Sequence, residues 1–313
     1  MDRKAYFDKL RSGMYRAGLP QSAVTAMEEI INLAAQHNAA DKEVAYMLAT
    51  ARHEVGLDLI PKRESLNYHV NALVANFSRE RISLADAQRL GRKAGEGPVP
   101  VARQMQIANL IYGGEWGRKN LGNMKPGAGW LYRGGGYPQT TGARNYNEVG
   151  KLTGLDLINE PDLITQPRVA CAALVLCMLH GTYTGKKLSD YDLPRQFKEA
   201  RAIINADVAK NGEAIAGYAR EFLAALKAAG YSPASVRSQI DAAAGKLVID
   251  APAVRVPETL VKTEEAPAAP ATKPDKEAGV IAGIVVGFIA AVVGVATWLG
   301  STVCEWTGFF CGG

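Results

Sequence analysis

Apolar positions recur with helical spacing over much of the first 230 residues. Between 22 and 36, Val24, Met27, Ile31 and Ala34 fall on one face behind Ser22, a capping residue type, and predict an amphipathic helix. A second begins after Asp41, stacks Val44, Leu48, Ala51 and Val55, and stops near Gly56, which suits a left-handed cap. Ala170 to Leu179 is a continuous apolar run whose alanines and leucines favour a buried helix over a strand. Residues 196 to 229 regain the helical period, with Ile215, Tyr218, Phe222 and Leu226 on one side. Gly113 to Gly136 breaks the pattern. Its nine glycines in 24 residues, interleaved with Trp116, Trp130, Tyr132 and Arg133, predict a loop or short hairpin and no helix. The expected architecture is mainly α, with one small glycine-rich excursion.

After Tyr231 the period weakens, and 233–277 reads as an Ala/Pro-rich linker following a domain of residues 1–232. No charge occurs between Glu277 and Glu305, and 278–300 is apolar enough and long enough to predict a transmembrane helix, leaving 301–313 as a short tail. Gly279, Gly283 and Gly287 repeat a small-xxx-small spacing that offers a face for self-association. Lys262, Lys273 and Lys276 precede the span and only Glu305 follows it, so the N-terminal domain is expected inside the cell. Cys304 and Cys311 would then lie outside, where a disulfide can form.

Composition adds bounds. The chain has 313 residues, enough for one or two domains, and 48% hydrophobic content supports a buried core. Lys and Arg number 36 against 31 Asp and Glu, a net charge of +5 that suits anionic surfaces such as bacterial envelopes. The first thirty residues hold Arg3, Lys4, Lys9, Arg11 and Arg16 but no apolar run of secretory type, so synthesis in the cytoplasm is expected. Four cysteines in two separate pairs make no disulfide scaffold, and Cys171 and Cys177 sit in the apolar run as packing residues.

His53-Glu54 opens like a zinc-protease word, but Leu57 stands where the second histidine would be required. No Ser or Cys nucleophile elbow accompanies the four histidines. Glu54 and Glu64 form a different pair. One ends an apolar helix, where desolvation raises a carboxyl's proton affinity; the other follows Lys62 and Arg63, whose charge favours ionisation. A neutral acid beside an ionised base is the requirement of glycosidic cleavage, although by spacing alone most Glu pairs ten residues apart are surface charges.

Ordered words supply the context. His53-Glu54-Val55-Gly56, Arg63-Glu64-Ser65-Leu66-Asn67-Tyr68, Ile107-Ala108-Asn109-Leu110-Ile111-Tyr112 and the run from Gly129 to Gly142 follow one another, continuing through Asn145-Tyr146 and Gly154-Leu155-Asp156-Leu157 to Pro161. Over roughly residues 40 to 225 the chain resembles glycoside hydrolase family 19, in particular its phage endolysin branch. The resemblance implies a two-lobed, lysozyme-like helical fold with a glycan cleft. It implies Glu54 as general acid, Glu64 as general base and Thr141 as holder of the attacking water. It also places Gln139 as a substrate or loop-ordering contact, Asn145 as a substrate contact and Arg133 beside the carboxyls. Trp130, Tyr132 and Tyr137 are candidate sugar platforms, and glycines 134 to 136 would let the backbone approach a sugar. Inversion is implied, with carboxyls about 6.5–9.5 Å apart.

Departures from the family pattern are Leu57 for the second glycine, Gly135 for the second arginine of Arg-Gly-Arg-Gly, Pro138 before Gln139, and an aliphatic 172–180 segment. Peptidoglycan is the expected substrate, chitin the alternative, and a non-catalytic glycan-binding component of a virion or membrane the third reading. Location is expected at the bacterial inner membrane or in a virion. No cofactor, metal or nucleic-acid partner is implied.

Overall fold

The computed structural model describes residues 1–244. Its helices are α1 (Arg3–Arg11), α2 (Gln21–Gln36), α3 (Asp41–Val55), α4 (Val70–Asn76), α5 (Leu84–Leu90) and α6 (Val101–Ile111). They continue as α7 (Gly114–Leu121), α8 (Ala128–Leu131), α9 (Ala143–Thr153), α10 (Pro167–His180), α11 (Val208–Ala228) and α12 (Pro233–Ala244).

The large lobe is built around α3. Every residue from Val44 to Ala51 is buried, because α11 covers one side of the helix while α2 and α10 pack against others. Glu43 starts the helix by accepting the Ala40 amide at 2.8 Å. Gly56 ends it at φ +98°, in the region that favours glycine, and turns the chain towards the second lobe. α1 packs on α11, and α10 and α12 on α2, so the core gathers Tyr6, Met27, Ile30, Leu48, Leu174, Phe197 and Phe222. The small lobe closes on Leu66, Leu73, Phe77, Ile82, Leu90, Ile107, Ile111 and Tyr112. A third cluster, with Tyr146, Val149, Leu157, Ile164 and Cys177, ties α9 to α10.

α2, α3 and the apolar α10 lie where their periodicity placed them. Several expectations are corrected. The glycine-rich segment contains two helices, α7 and α8, with several of its glycines at the helix boundaries: Gly113 and Gly127 precede them, and Gly122 ends α7 in the left-handed conformation. Nor is there a hairpin; only the isolated bridges Arg63–Gly135 and Gly135–Thr140 occur in that region. Residues 196–207 form turns and a short 3-10 helix, Glu199–Ile203, before α11 begins. The fold is thus mainly helical, and the expected transmembrane addition is not part of it: among the described residues no helix is long and apolar enough to cross a membrane. The 278–300 segment, with Gly279, Gly283, Gly287, Cys304 and Cys311, lies outside the described residues. The stretch from 233, expected to open the linker, begins with α12 docked on α2.

Candidate active site

Glu54 occupies the last turn of α3 and is 5% exposed. Its Oε1 accepts from Arg201 Nη1 at 2.5 Å. Arg201 sits in the 3-10 helix before α11, and its Nε and Nη2 grip Asp207 at 2.5 and 3.3 Å. Asn211, one turn into α11, donates to the same carboxylate at 2.6 Å. One buried cation therefore faces two carboxyls. Asp207 takes the two-handed contact and the extra amide; Glu54 has the single contact. Burial raises the proton affinity of Glu54 above the ordinary value, with Asp207 adding to the rise and Arg201 opposing it. His53, half-buried alongside, is held neutral, its pKa lowered to about 4 by burial and by Arg201.

Glu64 belongs to the small lobe and is 9% exposed. The hydroxyls of Tyr68 and Tyr112 donate to its Oε1 at 3.2 and 3.3 Å. Burial nonetheless pushes this carboxyl up to about 8, against the two phenols, the Gly134 amide and the charge of Arg133. The expectation that Lys62 and Arg63 keep Glu64 ionised is corrected. Lys62 donates to Val55 O at 3.0 Å, and Arg63 turns to Tyr146 Oη, to the carbonyls of Leu131 and Arg133, and to Asp162. Oε2 of Glu54 and of Glu64 is buried without a hydrogen-bond partner among the described residues. Each acid thus has one carboxyl oxygen that is enclosed by the protein and carries no hydrogen bond from the described residues.

The segment carrying Glu64 is fastened to the glycine-rich turn. Glu64 N donates to Gly134 O at 2.8 Å, and Gln139 Nε2 donates to Gly136 O and Lys62 O at 2.8 and 3.2 Å. Thr141 Oγ1 donates to Gln139 O, and Asn145 Nδ2 to Thr141 O, each at 2.9 Å. Gln139, Thr141 and Asn145 are therefore joined through one hydrogen-bonded relay that is tied at Lys62 to the segment carrying Glu64, and Gln139 orders the loop from a left-handed φ of +50°.

The aromatic candidates are placed differently. Tyr137 is fully buried in the large core, which takes its ring away from any sugar. Tyr132 donates to Ile158 O and its ring leans on Tyr146. One face of Trp130 is covered by the Arg133 guanidinium, 3.5 Å from the ring centroid, and Arg133 Nη1 donates to Trp130 O. Arg133 thus reaches Glu64 only through its charge. Glycines 134 to 136 are buried and admit protein, not sugar: a side chain at 135 would meet Ile164 Cγ2 at 2.6 Å and Tyr146 Oη at 2.8 Å. Sequence reasoning missed Arg201, Asp207 and Asn211. Three polar residues within eleven, inside or beside an apolar helical pattern, were the available signal.

No family model matches the chain. It is similar to a curated protein of Haemophilus influenzae named glycosyl hydrolase family 19 domain-containing protein, with 35% identity over 118 residues. The match covers 38% of this chain and 51% of that relative, so the chain spans about half the length of the curated relative it matches.

Proposed function

We propose that the chain hydrolyses β-1,4 bonds between amino sugars of peptidoglycan by an inverting acid/base mechanism, as an endolysin does. The observation that carries this reading is a pair of buried carboxyls, one ending α3 in the large lobe and one in the small lobe. Both have raised proton affinity and one unpartnered oxygen. The similarity to a glycosyl hydrolase family 19 domain protein supports the same reaction class.

In this mechanism Glu54 gives its proton to the glycosidic oxygen as the bond breaks. Arg201, already committed to Asp207, then stabilises the carboxylate left behind. Glu64, once ionised at about pH 8 and above, takes a proton from the water that attacks the anomeric carbon, while Tyr68 and Tyr112 hold its other oxygen. Thr141, its proton given to Gln139 O, offers lone pairs to that water, and Asn145 steadies Thr141. No covalent sugar intermediate forms, and the product anomer is inverted.

Glu54→Gln keeps the size of the side chain and removes the transferable proton. Turbidity loss of purified cell walls should fall more than about 100-fold while wall pelleting still captures the variant. Parallel digestion of chitin separates the two polymers. Wild-type protein that binds walls and releases no reducing ends would overturn the reading.

A further inference from the structure

Arg81 stands in the turn between α4 and α5 and is 6% exposed. Three aromatic rings wall its guanidinium: Trp116 at 3.9 Å, Phe77 at 4.8 Å and Tyr112 at 5.5 Å from ring centroid to the central carbon. Its Nε donates to Ile111 O at 2.8 Å. Among the described residues it enters no ion pair. A guanidinium withdrawn from water without a carboxylate contact is costly, and the aromatic faces offset only part of that cost.

Its titratable neighbours explain its position. They are Tyr112, Glu64, Tyr68 and Glu80. Tyr112 and Tyr68 are the two phenols that donate to Glu64 Oε1. Phe77 meets both edge-on, 5.6 Å from Tyr68 and 6.4 Å from Tyr112 between centroids. Cation, aromatic rings, paired hydroxyls and carboxyl thus form one connected stack from the interior of the small lobe to Glu64.

We propose that Arg81 is a positioning residue for Glu64: its buried charge, acting behind Tyr68 and Tyr112, favours the anionic carboxyl and keeps both phenol protons directed at Oε1. The inference rests on the reading of Glu64 as the general base. A cation behind a phenol strengthens that phenol as a donor, and Arg81 opposes the rise in proton affinity that burial imposes on both tyrosines. The other groups facing Glu64 are the Gly134 amide and Arg133, after α8, and Tyr146 of α9. Glu80, next to Arg81, is the opposing charge on this side. Lys62 and Arg63, the neighbours in sequence, are engaged elsewhere.

The test follows the Glu64 carboxyl directly. Full-length protein carrying side-chain 13C-labelled glutamate is titrated by NMR, with Glu64→Gln identifying the resonance. In Arg81→Met, which keeps an apolar stem between the rings, the Glu64 midpoint should rise by about one pH unit, as expected for a unit charge acting across one ring at an effective dielectric of about 20. Arg81→Gln, which retains a donor for Ile111 O, should do the same should the methionine variant not fold. Arg81→Lys should recover most of the wild-type midpoint. The acidic limb of the kcat/KM profile on cell walls should move by the same amount. A purely structural role would depress kcat and melting temperature at every pH and leave the midpoint in place. A folded neutral variant with an unmoved midpoint overturns the proposal, whatever its activity. A wild type that cleaves no glycan overturns the proposed function instead, and the titration still decides Arg81.

Discussion

Replacing Glu64 with Gln should stabilise the protein in alkaline solution, although it removes the proposed base. The wild-type carboxyl is held at about 8 when folded and has an ordinary value of 4.5. Below pH 4.5 it is protonated in both states, and its burial carries no pH-dependent penalty. Between 4.5 and about 8 the unfolded chain releases the proton and the folded chain keeps it, so stability falls as pH rises through this window; above about 8 the loss is complete. At about 1.4 kcal/mol per pH unit the full loss is at most about 5 kcal/mol. Glutamine is neutral throughout and still accepts from Tyr68 and Tyr112. Its amide nitrogen would stand at the unpartnered Oε2 position, a cost of about 1–3 kcal/mol. The net expectation is a gain of about 2–4 kcal/mol at pH 8.5, or several degrees in Tm, and a small loss at pH 4. Urea unfolding of both proteins at half-unit steps from pH 4 to 9 measures it. A difference between the two that stays constant across pH 4.5 to 8 would refute the burial argument.

Two further substitutions probe the framework of the site. Arg201→Met leaves Glu54 and Asp207 buried without their cation and should cost about 3–5 kcal/mol at pH 7 by urea unfolding. Glu54→Gln in the same chain should return part of that loss. Gly142→Ala places a methyl group against Leu121 Cβ at 2.8 Å and Leu121 O at 2.9 Å, at a φ of +89°, and should lower stability by about 2 kcal/mol or more in the same assay. A neutral result there would mean that the turn leading into α9 tolerates a side chain.

The sequence by itself determined α2, α3 and α10, because their apolar spacing is strong and local. It also placed Glu54 at the end of a helix beside a buried stripe, since Gly56 marks where α3 must stop. The ordered words singled out Gln139, Thr141 and Asn145, which prove to be neighbours in one hydrogen-bonded relay. Only the tertiary structure decided the electrostatics. Lys62 and Arg63 precede Glu64 in the chain, but side chains of adjacent residues diverge, and both basic groups satisfy carbonyls, a phenol and Asp162 instead. The charge that does reach the acids comes from Arg201, 147 residues away from Glu54, and, at Glu64, from Arg133 beyond α8. The same holds for the glycines at 134 to 136 and for Tyr137: their composition suggested a sugar surface, whereas packing against Ile164, Tyr146 and the large core encloses them. Local spacing specifies which residues share a helix face. Burial and long-range partners specify whether a carboxyl keeps its proton, and those are properties of the folded chain.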